Sequence, residues 1–177
     1  MGSNEHSRKR DGGKLERLRL LKLFLALVVA VFLLFRFVIG FSFVSGVSMK
    51  DTLIDGELVF YTRINRSIDI GDIISVSIPS GEFYVKRVVA KAGDVVDIHD
   101  GTLFVNGVAE TDAHVRGQTI PEAGMFKYPY TVSEGCAFVL GDNREESVDS
   151  RYFGEVSLRQ VKGVLRLRVG KFFIQGL

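Results

Sequence analysis

The chain has one cysteine, Cys136, in 177 residues, so no intrachain disulfide is possible and a packed core must hold the fold. Cys136 opens the run Cys-Ala-Phe-Val-Leu, which reads as a buried strand, so the thiol is read as a small hydrophobe and not as a nucleophile. Repeats and low-complexity tracts are absent. Net positive charge is nearly absent too, at +2, and what exists is confined to one end. Up to Lys22 there are seven Lys/Arg against three acids, leaving 16 and 18 for the remainder. The body is therefore slightly acidic, which argues against nucleic acid as a partner and leaves a basic arm at residues 1–22.

Beyond the arm the chain turns apolar. Leu23 to Phe35 (LFLALVVAVFLLF) carries no polar side chain, Arg36 interrupts, and the run resumes to Val44. Residues 23–44 suffice for a helix across a hydrocarbon layer of about 30 Å. Arg36 lies beyond the middle of that run, where its stem can snorkel to the interface. A cleavable leader would end in an A-x-A pattern, which is missing, so a retained transmembrane anchor is expected. The basic flank places the N-terminus in the cytoplasm and residues 45–177 outside it.

No second long helical pattern is present. Residues 57–61, 72–78 and 82–91 are strand-like, and residues 94–99 and 102–105 flank Asp100-Gly101, a pair suited to a type I′ hairpin turn. Asn106-Gly107 marks a further turn, and residues 137–140 and 161–169 read as strands. The expected fold is mainly β: one N-terminal transmembrane helix, then an antiparallel β-sheet domain over residues 45–177. Residues 106–133, with Pro121, Gly124 and Pro129, are expected to form an irregular insertion.

Three segments carry chemistry. Ser45-Gly-Val-Ser-Met-Lys-Asp-Thr-Leu53 is a turn exposing hydroxyls and backbone N–H groups together, the donor and nucleophile set of acyl transfer. Tyr84-Val-Lys-Arg-Val-Val89 puts Lys86 and Arg87 on opposite faces of a strand, with one of them pointing inward. Gly141 to Gly154 (GDNREESVDSRYFG) is polar, glycine-framed and reads as an ordered network.

In this order behind an anchor, the segments resemble the bacterial type I signal peptidases, Ser–Lys serine proteases that remove signal peptides from exported preproteins. The pattern GDNRxxSxDSRxxG is the most specific part, and SMxxTL and YVKRVVAKAGD reinforce it. The resemblance implies Ser48 as nucleophile and Lys86 as general base. Burial among apolar side chains would bring the lysine down to the range of roughly 7–8 that a base requires. It implies an oxyanion hole built on the Ser48 N–H. Some members place a serine hydroxyl two residues before the nucleophile; here that position is Gly46, so the hydroxyl is missing. Ser147 would hydrogen-bond the lysine, and Asp149 and Arg151 would form a structural ion pair beneath the site. Val44, Met49, Leu53 and Val85 would line shallow substrate pockets, and the substrate would pair with a strand edge around residues 82–87. The family's usual proline three residues after the serine is replaced by Asp51, expected to point outward. The resemblance implies no metal or other cofactor, preproteins and the lipid bilayer as partners, and a monomer. A histidine-based peptidase fits less well, because His6, His99 and His114 lie outside the motifs. The competing class is an inactive homologue serving as a scaffold in surface-fibre assembly, which retention of both Ser48 and Lys86 disfavours.

Overall fold

The computed structural model describes residues 3–64, 67–78, 81–124, 126–170 and 174–176, and for residues 3–15 and 174–176 the backbone alone. The chain divides into two units, Met1–Val38 and Ile39–Leu177.

The first unit is helical. Helix α1 runs from Ser3 to Leu33, and a π-helical turn over Leu34–Val38 continues it. Within it, Glu16–Val38 is a 23-residue stretch long and apolar enough to cross a membrane, with none of its most apolar window buried. At about 1.5 Å per residue that stretch spans about 34 Å. Its leucine, valine and phenylalanine side chains are exposed on every face, so the helix has no core-facing stripe of its own. Arg36 lies in the final turn with its guanidinium 5.3 Å from the Phe37 ring centroid.

The helical stretch stops before the expected Val44. Residues 39–43 form strand β1 (Ile39–Phe43), which pairs with β2 (Leu58–Thr62) from Ile39↔Thr62 to Phe43↔Leu58. Gly40 accounts for the change. A Cβ there would collide with the Tyr61 ring, so glycine lets β1 lie flat against β2, where the backbone gains a ladder partner.

The second unit is built of antiparallel sheets. β3 (Ile73–Ser77), β4 (Phe83–Lys91), β9 (Cys136–Leu140), β10 (Val156–Ser157) and β11 (Val161–Val169) join the first two in the order β1-β2-β11-β3-β4-β9-β10. β12 (Ile174–Gly176) pairs with β11 off that path. A smaller sheet contains β5 (Val95–His99), β6 (Thr102–Val105), β7 (Val108–Ala109) and β8 (Tyr130–Thr131) in the order β7-β6-β5-β8. The Asp100-Gly101 and Asn106-Gly107 turns have positive φ at both central residues, as type I′ hairpins require. The expected insertion is less separate than its composition implies, since its two ends supply β7 and β8.

β4 sits in the interior of the large sheet. Val88 enters the apolar cluster of Ile74, Val76, Val139 and Val164, and Val89 and Ala90 enter that of Val96, Leu103, Phe138 and Leu140. Val85 packs on a third cluster containing Met49, Leu53, Val59 and Leu165. Each fully buried Val, Leu or Ile contributes about 1.5–3 kcal/mol by leaving water. The strand carrying Lys86 is thus among the least displaceable parts of the domain.

Candidate active site

Ser48 lies on a tight turn just past β1. Lys50 N–H bonds the Val47 carbonyl at 3.0 Å, and Thr52 and Leu53 N–H both bond that of Met49, at 3.0 and 2.7 Å. Gly46 enters this turn at φ +96°, and its N–H is committed to Asp55 Oδ1 at 2.8 Å. Gly46 is therefore a turn-former, and its N–H is not a spare oxyanion donor.

Lys86 reaches this turn from β4. It pairs with Ile74, and alternation places it on the face of Tyr84 and Val88, toward the valine-rich cluster. Lys86 is 1% exposed, and its Nζ lies 2.6 Å from Ser48 Oγ. Burial, by withholding water from the ammonium, lowers its pKa from 10.5 to about 8. Asp149 works against that shift, Arg151 with it, and Asp142 against it. Nζ is also 5.4 Å from the Tyr84 ring centroid, and that ring stacks on Phe153 at 5.9 Å.

Arg87 differs from expectation. Alternation points one of the two strand cations inward, but Arg87 is also buried, at 8% exposure, because both faces of β4 are covered. It makes a bidentate pair with Asp142, Nε at 2.8 Å and Nη2 at 2.7 Å. Asp142 in turn accepts from Thr52 Oγ1 at 2.5 Å, so the ion pair reaches the serine turn. Beside it, Asn143 grips the same turn twice, N–H to the Ser48 carbonyl at 3.0 Å and Nδ2 to the Val47 carbonyl at 3.1 Å. Arg168 Nη1 donates to the Thr52 carbonyl from β11. The sequence alone does not single out Asn143, Asp142, Thr52 and Arg168 as holding the serine. The signal it does carry is that Asn143 and Asp142 stand inside the GDNR motif.

Asp149 and Arg151 form the expected pair, Nε at 2.8 Å and Nη2 at 2.9 Å, at 0% and 3% side-chain exposure. Asp149 Oδ2 also accepts from Gly141 N–H at 3.1 Å, and Arg151 donates to the carbonyls of Arg144 and Ile120. Ser147 lies close by but does not make the expected bond to Lys86. Its Oγ is buried and has no hydrogen-bond partner among the described residues, and Lys86 Nζ is directed at Ser48 instead.

The four expected pocket residues gather in one place, but as core. Val44, Met49 and Leu53 are 7%, 2% and 0% exposed, and only Val85 is half-buried. Leu53 in particular offers no surface to a ligand. The strand edge, by contrast, is present: β3 pairs with Phe83–Arg87, whereas β9 pairs only from Arg87 onward, so among the described residues one side of residues 83–86 has no strand partner. Asp51 faces outward at 63% side-chain exposure, paired with Arg116. Its φ is +75°, a value proline cannot adopt. Among the described residues no group of His, Cys, Asp and Glu could hold a metal ion.

A hydroxyl on a rigid turn, a buried amine in contact with it and an open strand edge beside both are the components of a Ser–Lys hydrolase acting on extended peptides. Residues 17–170 match the family described as signal peptidase, peptidase S26. The chain is 36% identical over 152 residues to signal peptidase I of Bacillus caldolyticus, spanning 77% of this chain and 82% of that one. It is 31% identical over 175 residues to signal peptidase IB of Staphylococcus aureus, spanning 86% and 91%. A crystal structure of a signal peptidase I from Enterococcus faecalis aligns with 34% identity and a TM-score of 0.47, over 56% of this chain and 97% of that one. The chain belongs to the signal peptidase, peptidase S26, family, and it is a serine endopeptidase.

Proposed function

We propose that this protein removes signal peptides from exported preproteins with Ser48 as nucleophile and Lys86 as general base. The observation that carries this reading is the 2.6 Å contact between Nζ of a lysine only 1% exposed and the Ser48 hydroxyl. As a free amine, Nζ accepts the Ser48 proton while Oγ attacks the scissile carbonyl. The Ser48 N–H, on a turn clamped by Asn143, supports the negative charge forming on the carbonyl oxygen. Collapse of the tetrahedral intermediate expels the amine of the mature chain, which takes the proton from the Lys86 ammonium. Water, deprotonated by the Lys86 amine, then attacks the ester, and Ser48 Oγ takes that proton back from Lys86 as the acyl–oxygen bond breaks and the signal peptide leaves. The preprotein lies extended along the open side of residues 83–86, as an added strand.

The apolar stretch Glu16–Val38 anchors the enzyme in the cell membrane. Seven Lys/Arg up to Lys22, four of them before this stretch and three in its first turns, orient the N-terminus to the cytoplasm and the catalytic domain to the outer side. That Ser48 and Lys86 are both present and in contact speaks for an enzyme over a scaffold.

The test is to incubate the detergent-solubilised protein with a model preprotein and map the cut. Wild type should cut at the signal-peptide junction, and Ser48→Ala and Lys86→Ala should not. Cleavage by either variant would sink the assignment. For orientation, protease added to intact spheroplasts should degrade the catalytic domain; full protection would reverse the topology.

A further inference from the structure

Asp51 has no part in the proton transfers, yet its backbone is unusual. It sits three residues past Ser48 with φ +75°, a state that only short polar side chains and glycine adopt readily. A turn containing such a residue needs an outside hold to stay in one conformation. Its carboxylate supplies one: Oδ2 accepts from Arg116 Nη1 at 2.9 Å.

Arg116 belongs to the segment between β7 and β8. Its backbone is fixed on both sides against the segment after β9: Arg116 N–H bonds the Asp142 carbonyl at 2.8 Å, and Arg144 N–H bonds the Arg116 carbonyl at 2.9 Å. The flanks of Arg116 are fixed as well. The Arg144 guanidinium, 0% exposed, holds Glu110 through both carboxylate oxygens at 2.6 and 2.8 Å and Thr119 Oγ1 at 2.7 Å. The same stretch of chain, at Asn143, bonds the Val47 and Ser48 carbonyls. The result is a closed ring. From Ser48 it passes through Asn143 to the Arg116 backbone, out along the Arg116 side chain, and back to Asp51 in the serine turn.

We infer that Arg116 is a positioning residue for the nucleophile, holding the Ser48 turn through its ion pair with Asp51, and that turnover depends on ionic strength through this pair. The inference rests on Ser48 being the nucleophile. Exposed pairs ordinarily contribute little, because two long side chains must be ordered and salt screens them. Here the Arg116 backbone is already fixed and aspartate is short, so little freedom remains to be lost. The groups are 52% and 63% exposed, which leaves the pair open to salt.

The experiment is a double-mutant cycle in the full-length protein, with Asp51→Asn, Arg116→Gln and the combination, assayed on a preprotein from low to high salt. Asparagine tolerates positive φ, so Asp51→Asn removes the charge and leaves the backbone state. Each single variant should lose about three- to fivefold in kcat, with KM unchanged and the melting temperature close to wild type. The double variant should be no worse than either single one. Rising salt should bring wild type down toward the variants, whose own salt profiles stay flatter. Arg116→Gln with wild-type kcat at low salt, additive losses in the double variant, or a loss matched by a fall in melting temperature would each overturn the inference. Ser48→Ala run alongside keeps the two readings apart: if it still cleaves, the nucleophile assignment fails whatever the cycle shows.

Discussion

The pH dependence of cleavage tests the chemistry most directly. In the proposed mechanism Lys86 must lose its proton before it can take one from Ser48, and burial brings its pKa from 10.5 to about 8. Half of the enzyme is then competent at about pH 8, and about a tenth at pH 7. The acid limb of kcat/KM should climb about fivefold from pH 7 to 8 and about twofold from there to pH 10. The fall from 10.5 to about 8 is equivalent to about 300-fold more free amine at neutral pH than an ordinary lysine would supply. The same displacement has a cost in stability. The unfolded chain holds the Lys86 proton up to about 10.5, the folded one only to about 8, so between those values the unfolded state binds more protons and stability rises with pH. Below about pH 8 the buried ammonium weighs against folding by about 3 kcal/mol, taking one pKa unit as about 1.4 kcal/mol. Lys86→Met removes this group, so it should be more stable than wild type at pH 7, with the gap closing toward pH 10.5, while cleaving nothing. The assays are initial rates on a preprotein from pH 6 to 10 and thermal melts over the same range. An acid limb near pH 6.5, where a histidine titrates, or cleavage that survives in Lys86→Arg, would refute the lysine-base argument.

Two further predictions concern the surroundings of Lys86. Asp149→Asn removes a charge that raises the Lys86 pKa and leaves Arg151, which lowers it, so the acid limb should move to lower pH; Arg87→Met leaves Asp142 unpaired and should move the limb up, and limbs moving together would contradict the electrostatic account. Gly141→Ala would place a methyl group against Ser147 Oγ and 2.6 Å from the Ser48 carbonyl, so turnover should collapse even in protein that folds, and near-normal kcat would mean that the serine turn is not held from this side.

The proposed partners of the reaction are legible in the sequence; the restraints on them are less so. Lys86 stands out because a cation in an alternating apolar strand is rare and because the motif order names it. Ser48 stands out as a hydroxyl in a glycine-started turn after an apolar run. The hairpin turns are readable too, since Asp-Gly and Asn-Gly carry their backbone conformation with them. Pairing at a distance is not readable. Thr52 meets Asp142 across 90 residues of chain, Asn143 meets Val47 across 96 and Arg116 meets Asp51 across 65, and no periodicity encodes such meetings. The anchor ends before its apolar run does for a related reason. Ile39 to Phe43 is as apolar as a membrane span, and only a partner strand with Tyr61 opposite Gly40 reveals it as β1.

The charges around Lys86 present an apparent conflict: the proposed base, which must be neutral, lies near two carboxylates, each of which favours the ammonium. Pairing resolves it. Asp149 is matched by Arg151 and Asp142 by Arg87, each through two guanidinium contacts, at 0% exposure for both aspartates. At Lys86 the influences of Asp149 and Arg151 oppose each other, and desolvation, the largest influence, decides the direction. Such buried pairs are weak contributors to net stability, because desolvating two ions consumes most of their attraction. Their value here is positional and electrostatic. They bring polar chain segments up to Ser48 while Arg151 opposes Asp149, the larger carboxylate influence on the amine proposed to accept its proton.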